Sequence, residues 1–227
     1  MAQSGSLPSL ASASQPVFGH GHPQADVVLI GEAPGQAEDL AGLPFVGASG
    51  RWLNQALTTI GWSREQLYIT NLVKYRPPAN RDPLPDEIEA NFNWLCQEIA
   101  LIQPQLIVTL GRISAIALLF ERSVAASQLQ AWQISREHGR LWRHTVIDRL
   151  MPKLTPTLTL YHPAAAIYNR QLEPVLAADF QQIPQYLQLI NSFAESDWLA
   201  WPLHTDQDPP SALQYLTFKR KESTHVE

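Results

Sequence analysis

Four short apolar runs, each ending at a residue suited to a turn or to chemistry, constrain this chain more than any other feature. Asp26-Val-Val-Leu-Ile30 runs into Gly31, Leu67-Tyr-Ile-Thr70 into Asn71, Leu106-Ile-Val-Thr-Leu110 into Gly111, and Thr157-Leu-Thr-Leu160 into Tyr161-His162-Pro163. A run without polar alternation suits a strand covered on both faces. The stretches between them carry helical spacing. From Gly50 to Ile60, Trp52, Leu53, Ala56, Leu57 and Ile60 fall at i, i+3 and i+4. Pro85 opens a longer helix, with acids in its first turn as the helix dipole favours, and this runs to about Gln103, ahead of Pro104. Arg112–Phe120 and Pro174 to about Ser192 give two more. Strand and helix in alternation predict an α/β fold with a mostly parallel sheet and no internal repeat. Ligands of such sheets gather at the carboxyl ends of the strands, so Gly31, Asn71, Gly111 and His162 share one rim.

A length of 227 residues suits one medium domain. Residues 1–16, rich in Ser and Ala without periodicity, are expected to be a disordered leader. Residues 17–195 form the expected domain, and the polar stretch 196–227, broken by Pro209 and Pro210, a loosely held tail. The single Cys96 excludes an intramolecular disulfide and any four-thiolate metal site within one chain. No apolar run approaches the ~20 residues of a membrane span, and the first residues lack the basic and apolar regions of a signal peptide. A soluble, cytoplasmic protein is expected. The net charge of −5 argues against bulk nucleic-acid binding. Residues 50–82, however, hold Arg51, Arg64, Lys74, Arg76 and Arg81 against Glu65 and Asp82, a local basic stripe of the kind phosphates prefer.

Each rim residue admits two readings. Gly31-Glu-Ala-Pro-Gly35 with Glu38 and Asp39 is a solvated acidic turn, or a loop that activates water and stabilises a cation. It lacks GxxxxGK[ST] and GxGxxG, so phosphate-cradling chemistry is not expected of it. Phe45 is a core anchor or a platform for a flat heterocycle. Asn71 is a strand-end turn residue, or an amide whose one acceptor and two donors read the edge of a base. His162, its exit fixed by Pro163, is structural or a donor to a developing oxyanion. His20 and His22 lack the third ligand a metal site needs, and no metal is expected. Arg136, Arg140 and Arg143 surround Gly139 as a second phosphate-facing segment.

Taken together, VFGHGHPQADVVLIGEAPGQAEDLAGLPFVGASGRWLNQAL, YITNLVKYRPPANRDPLPDEI, PQLIVTLGRISA and YHPAAAIYNR resemble, in order, the motifs of the family 4 uracil-DNA glycosylases. The resemblance implies a three-layer α/β/α fold with a four-stranded, mostly parallel central sheet. It implies that Phe45 stacks on a flipped base, that Asn71 reads its Watson–Crick edge, and that His162 stabilises charge on the uracil O2. Glu32 and Glu38 match acidic positions of the first motif and Asn80 a polar active-site residue. Gly31, Ala33 and Pro34 would shape the pocket floor. Lys74, Arg76, Arg81, Arg136, Arg140 and Arg143 would grip DNA phosphates. The implied activity is monofunctional base excision repair, releasing uracil from DNA and leaving an abasic site, by a monomer. A non-catalytic lesion binder and a glycosylase for hypoxanthine or xanthine are the alternatives.

One departure is large. The family holds a [4Fe–4S] cluster on four Cys, two in an N-terminal CxxC, one in KCRPP and one early in the following helix. Here KCRPP reads Lys74-Tyr-Arg-Pro-Pro78, the fourth position is Asn91, and Cys96 does not match. No cofactor is therefore expected, with Tyr75 and apolar neighbours filling the space and packing alone holding that surface. A related branch traps DNA covalently through a His in an insertion after the second motif. The short Pro77-Pro-Ala-Asn-Arg81 connection predicts no such trap.

Overall fold

A computed structural model describes residue 9 and residues 12–119, 132–142 and 155–192. All four predicted strands are present, as β2 (Val27–Gly31), β3 (Tyr68–Asn71), β4 (Leu106–Leu110) and β6 (Thr157–Leu160). They are parallel and adjacent in the order β3-β2-β4-β6. Two further strands of two residues each, β1 (His20–Gly21) and β5 (Leu141–Trp142), add antiparallel edges and bring the described sheet to six. Strands this short have no periodicity for a sequence pattern to show.

Helices α1 (Gln36–Ala41) and α2 (Ala48–Thr59) lie between β2 and β3, and α3 (Pro85–Ile102) between β3 and β4. Then come α4 (Arg112–Leu119), the short α5 (Ile134–Glu137), α6 (Ala164–Tyr168) and α7 (Glu173–Ser192). Every residue of β2 is buried, as its unbroken apolar run requires. Alternate residues serve opposite layers. Val27 and Leu29 pack with Leu53, Ala56 and Leu57 of α2 and Phe180, Ile183 and Tyr186 of α7. Val28 and Ile30 pack with Ile88, Phe92, Leu95 and Ile99 of α3 and Ile113 and Ile116 of α4. The result is the expected three-layer α/β/α arrangement.

Within the expected leader, the described residues make specific contacts. Ser14 donates to the buried Asp39 carboxylate through its backbone N–H (2.8 Å) and its hydroxyl (2.9 Å). The Gln15 amide donates to the carbonyls of Asp39 (3.0 Å) and Leu40 (3.1 Å). Buried Ser9 donates its N–H to Glu87 at 3.0 Å. These ties are polar, so apolar periodicity could not reveal them. The segment expected as a C-terminal tail, 196–227, lies outside the described residues.

Candidate active site

A cleft of about 460 Å³ opens at the carboxyl ends of the parallel strands, lined by Glu32, Ala33, Pro34, Glu38, Phe45, Asn71, Asn80, Arg81 and His162. Eight of the nine were expected, with Gly31, as catalytic or substrate-binding groups, and Arg81 as a DNA contact. Gly31 lies directly opposite Asn71 in the β2–β3 register. After the strand ends, the pairing continues through Leu72 N–H to Gly31 O (2.9 Å) and Val73 N–H to Glu32 O (3.1 Å), so the two motif loops leave the sheet side by side. A Cβ at residue 31 would strike the Asn71 side-chain oxygen and the Phe45 ring. The glycine therefore makes room for both groups.

Phe45 is buried against the α2–α7 layer, as a core anchor would be, and it also lines the cleft. Its centroid lies 5.7 Å from that of His162, the planes tilted by 35°. The backbone at Phe45 is left-handed (φ 52°), an uncommon state for a bulky residue that its surroundings must enforce. Two braces do so. The Arg64 guanidinium donates to the carbonyls of Pro44 and Phe45, both at 2.6 Å. Glu38 accepts backbone N–H groups of Val46 (2.9 Å), Gly47 (2.8 Å) and Gly35 (3.2 Å). Glu38 is thus a cross-tie of the first motif as well as part of the wall. Arg64 was legible in the sequence only as a charge; its task depends on the path of the Pro44–Phe45 backbone.

Asn71 is buried and its side-chain carbonyl oxygen has no hydrogen-bond partner. A buried amide acceptor left bare costs about 1–3 kcal/mol, a cost a bound N–H group would relieve. His162 accepts the Ala164 backbone N–H at Nδ1 (3.1 Å). Its proton therefore sits on Nε2, leaving a neutral donor. Burial pushes its pKa down to about 4, with the Glu38 charge opposing, so the ring is uncharged at neutral pH. Gly111 (φ 101°) backs this ring, and a Cβ there would lie 3.2 Å from His162 Cβ. Glu32 is half-buried, and burial with the nearby Asp82 charge raises its pKa to about 7, while Arg112 opposes. Asp82 and Arg112 form an ion pair of 3.2 Å, and Asp82 also borders the cleft. A carboxyl group poised near neutrality can accept a proton from water.

The residues expected to grip phosphates fare differently. Lys74 is buried, its ammonium donating to Glu98 (2.5 Å), Thr70 Oγ1 (2.8 Å) and Asn71 O (2.8 Å). It is a strut behind Asn71 and no phosphate can reach it, which corrects the expectation of a DNA contact. Burial lowers its pKa, against the Glu98 charge. Arg81 is engaged by Glu87 through two bonds (2.7 and 2.9 Å). Arg76 donates through Nε to Asn80 Oδ1 (2.8 Å). Arg136 is exposed on α5, and Arg140 pairs with Glu137 (2.9 Å); neither lines the cleft. Arg143 lies outside the described residues. The cleft also takes in Ile167 and Tyr168 of α6, whose apolar and exposed side chains gave no earlier reason to single them out.

The residues at the cluster positions do not fit an iron–sulfur group. Tyr75 and Asn91 offer a phenol and a carboxamide in place of thiolates. The Asn91 amide is committed at both ends, accepting Lys74 N–H (3.0 Å) and donating to Glu87 O (2.8 Å). Cys96 is buried among Phe92, Leu95 and Ile99. Packing alone was expected to hold this surface. Hydrogen bonds and ion pairs hold it instead, because a side-chain amide and a carboxylate can tie backbone groups that an apolar filler would leave unpaired.

Comparison with known proteins agrees with this geometry. Residues 18–188 match the family described as the Uracil DNA glycosylase superfamily. The chain is 42% identical over 169 residues to a type-4 uracil-DNA glycosylase of Archaeoglobus fulgidus, covering 74% of this chain and 79% of that protein. It is 42% identical to the type-4 enzyme of Sulfurisphaera tokodaii over 74% of this chain and 72% of that one. Identity to the type-4 enzyme of Thermotoga maritima is 32%, over 76% and 83%. With its motifs gathered at one sheet rim and its sequence matched across most of the domain, the chain belongs to the uracil-DNA glycosylase superfamily.

Proposed function

We propose that this protein hydrolyses the N-glycosidic bond of 2′-deoxyuridine in DNA, releasing uracil and leaving an abasic site. The observation that carries this reading is the bare Asn71 carbonyl oxygen, buried in one cleft with the Phe45 ring and a neutral His162. Uracil offers N3–H to that oxygen and O4 to the amide nitrogen, whereas cytosine reverses both groups. Phe45 supplies a stacking face for a base taken out of the helix. As the C1′–N1 bond breaks, its electron pair stays with uracil, and His162 Nε2–H donates to the charge developing on O2. Water then bonds to the cationic C1′ and gives a proton to the Glu32 carboxylate, while solvent protonates the departing uracil anion.

The reading includes a monomer of residues 17–195 acting in the cytoplasm, without a cluster or other cofactor. No helix among the described residues is long and apolar enough to cross a membrane. The test is incubation with single-stranded and duplex oligonucleotides holding uracil, hypoxanthine or xanthine, followed by alkali. Cleavage at uracil with release of the free base is the expected result. Cleavage only at another base, or binding without cleavage, would replace this reading.

A further inference from the structure

Glu87 does not line the cleft, yet its carboxylate ties Ser9, Arg81 and Leu84 together beneath one wall of it. The side chain is 1% exposed and accepts four N–H groups. Oε2 takes Arg81 Nη1 (2.7 Å) and Leu84 N (2.8 Å), and Oε1 takes Arg81 Nη2 (2.9 Å) and Ser9 N (3.0 Å). Two carboxylate oxygens have about four lone-pair sites, so this acceptor is saturated. These donors hold its carboxyl at about 2, the Arg81 bonds chief among them, so it is a permanent anion at working pH.

The segment it grips needs holding. Ala79 and Asn80 are consecutive non-glycine residues in the left-handed region, at φ 55° and 56°. Such a conformation persists only where neighbours over-determine it. Asn80 and Arg81 both border the cleft, and the Arg81 guanidinium is the link from this strained turn to the buried carboxylate. On the far side, the Glu87 backbone carbonyl accepts the Asn91 amide, which in turn accepts Lys74 N–H. Asn91 stands where the resembled family carries a cluster thiolate.

We propose that Glu87 is the positioning residue of this wall: it clamps the strained Ala79–Asn80 turn through Arg81, joins it to Ser9 and α3, and supplies the cross-bracing that an iron–sulfur cluster cannot supply here. It acts on the reaction through Asn80 and Arg81 and touches no substrate. The kinetic consequences rest on the glycosylase reading; the structural ones do not.

Glu87→Gln, Arg81→Gln and the double variant test this in the full-length protein. Amide hydrogen exchange of residues 76–84 should accelerate at least tenfold in each single variant, while the sheet strands exchange as before. Single-turnover uracil release at saturating enzyme, far below the melting temperature, should fall roughly 10- to 100-fold in both. The double variant should be no slower than the slower single, because both remove one link. Unchanged exchange of residues 76–84 in a folded Glu87→Gln protein would overturn the proposal, as would losses that multiply in the double variant. If the unaltered protein releases no uracil, the glycosylase reading fails and the exchange result still decides the role of Glu87.

Discussion

Asn71 and Phe45 meet over the bare backbone of Gly31: a single methyl group there would strike both the amide oxygen and the aromatic ring. The placing of both side chains therefore depends on one residue without a side chain, at the end of β2. Gly31→Ala is expected to lower the melting temperature somewhat, because the position is buried and the new methyl must push aside the Asn71 amide or the Phe45 ring. It should cut uracil release by at least a hundredfold. Near-normal release measured on the same oligonucleotide would show that the two groups have slack the structure does not indicate.

His162 is neutral with its proton on Nε2, so on the proposed mechanism it is expected to act as a donor and not as a cation. Removing one such donor from a preorganised site costs about 2.7–4 kcal/mol, or ~10²–10³ in rate. His162→Ala should show that loss in single-turnover assays while folding normally. The depressed pKa has a stability consequence with a definite sign. The folded value is about 4 against an ordinary 6.5. The unfolded chain thus binds a proton first, and the contribution of His162 is present above pH 6.5 and lost as pH falls through 4. Wild-type melting temperature should decline over that window more steeply than that of His162→Ala; parallel curves would contradict the burial of the ring.

On the proposed mechanism, Glu32 is expected to set the acid limb of the pH–rate profile. If its ionised form takes the proton from water, the rate should rise with pH and level off above about 7. Asp82 pushes this carboxyl up and Arg112 pulls it down. Asp82→Asn should therefore shift the limb to lower pH, and Arg112→Gln should shift it higher. Shifts in the same direction, or none in either, would assign the limb to another group.

Lys74 is a buried strut, and its replacement should read as lost stability. Lys74→Met leaves the Glu98 carboxylate without its cation, and breaking a buried pair in this way costs about 3–5 kcal/mol. The slope of log Kd for DNA against log salt should stay as in the wild type, because no phosphate contact is removed. A slope shallower by about one would return Lys74 to the DNA interface.

Much of this molecule was legible in its sequence, for physical reasons that also mark the boundary. The four central strands announce themselves because strands buried on both faces must be apolar throughout, as in Val27–Ile30. Their last residues fall together because a parallel sheet sends every carboxyl end to one rim, which is how Glu32, Asn71 and His162 share a cleft. What charge counting could not show is where each charge ends up. Lys74 and Arg76 are neighbours in a basic stripe, yet one is a buried strut and the other donates to Asn80. Arg64 and Glu38 brace a backbone whose left-handed turn at Phe45 no local pattern discloses. The missing cysteines were plain to see, while the polar hub at Glu87 emerged only once Ser9, Arg81 and Leu84 could be placed around it.

The most direct test of the account is release of free base from one uracil-containing oligonucleotide, measured for the wild type and for Asn71→Ala. The wild type should liberate uracil and leave an alkali-labile site at that position, with thymine and cytosine controls intact, and Asn71→Ala should lose at least a hundredfold in rate while remaining folded. A wild type that binds the oligonucleotide but leaves it intact, or an Asn71→Ala variant as fast as the wild type, would contradict the account.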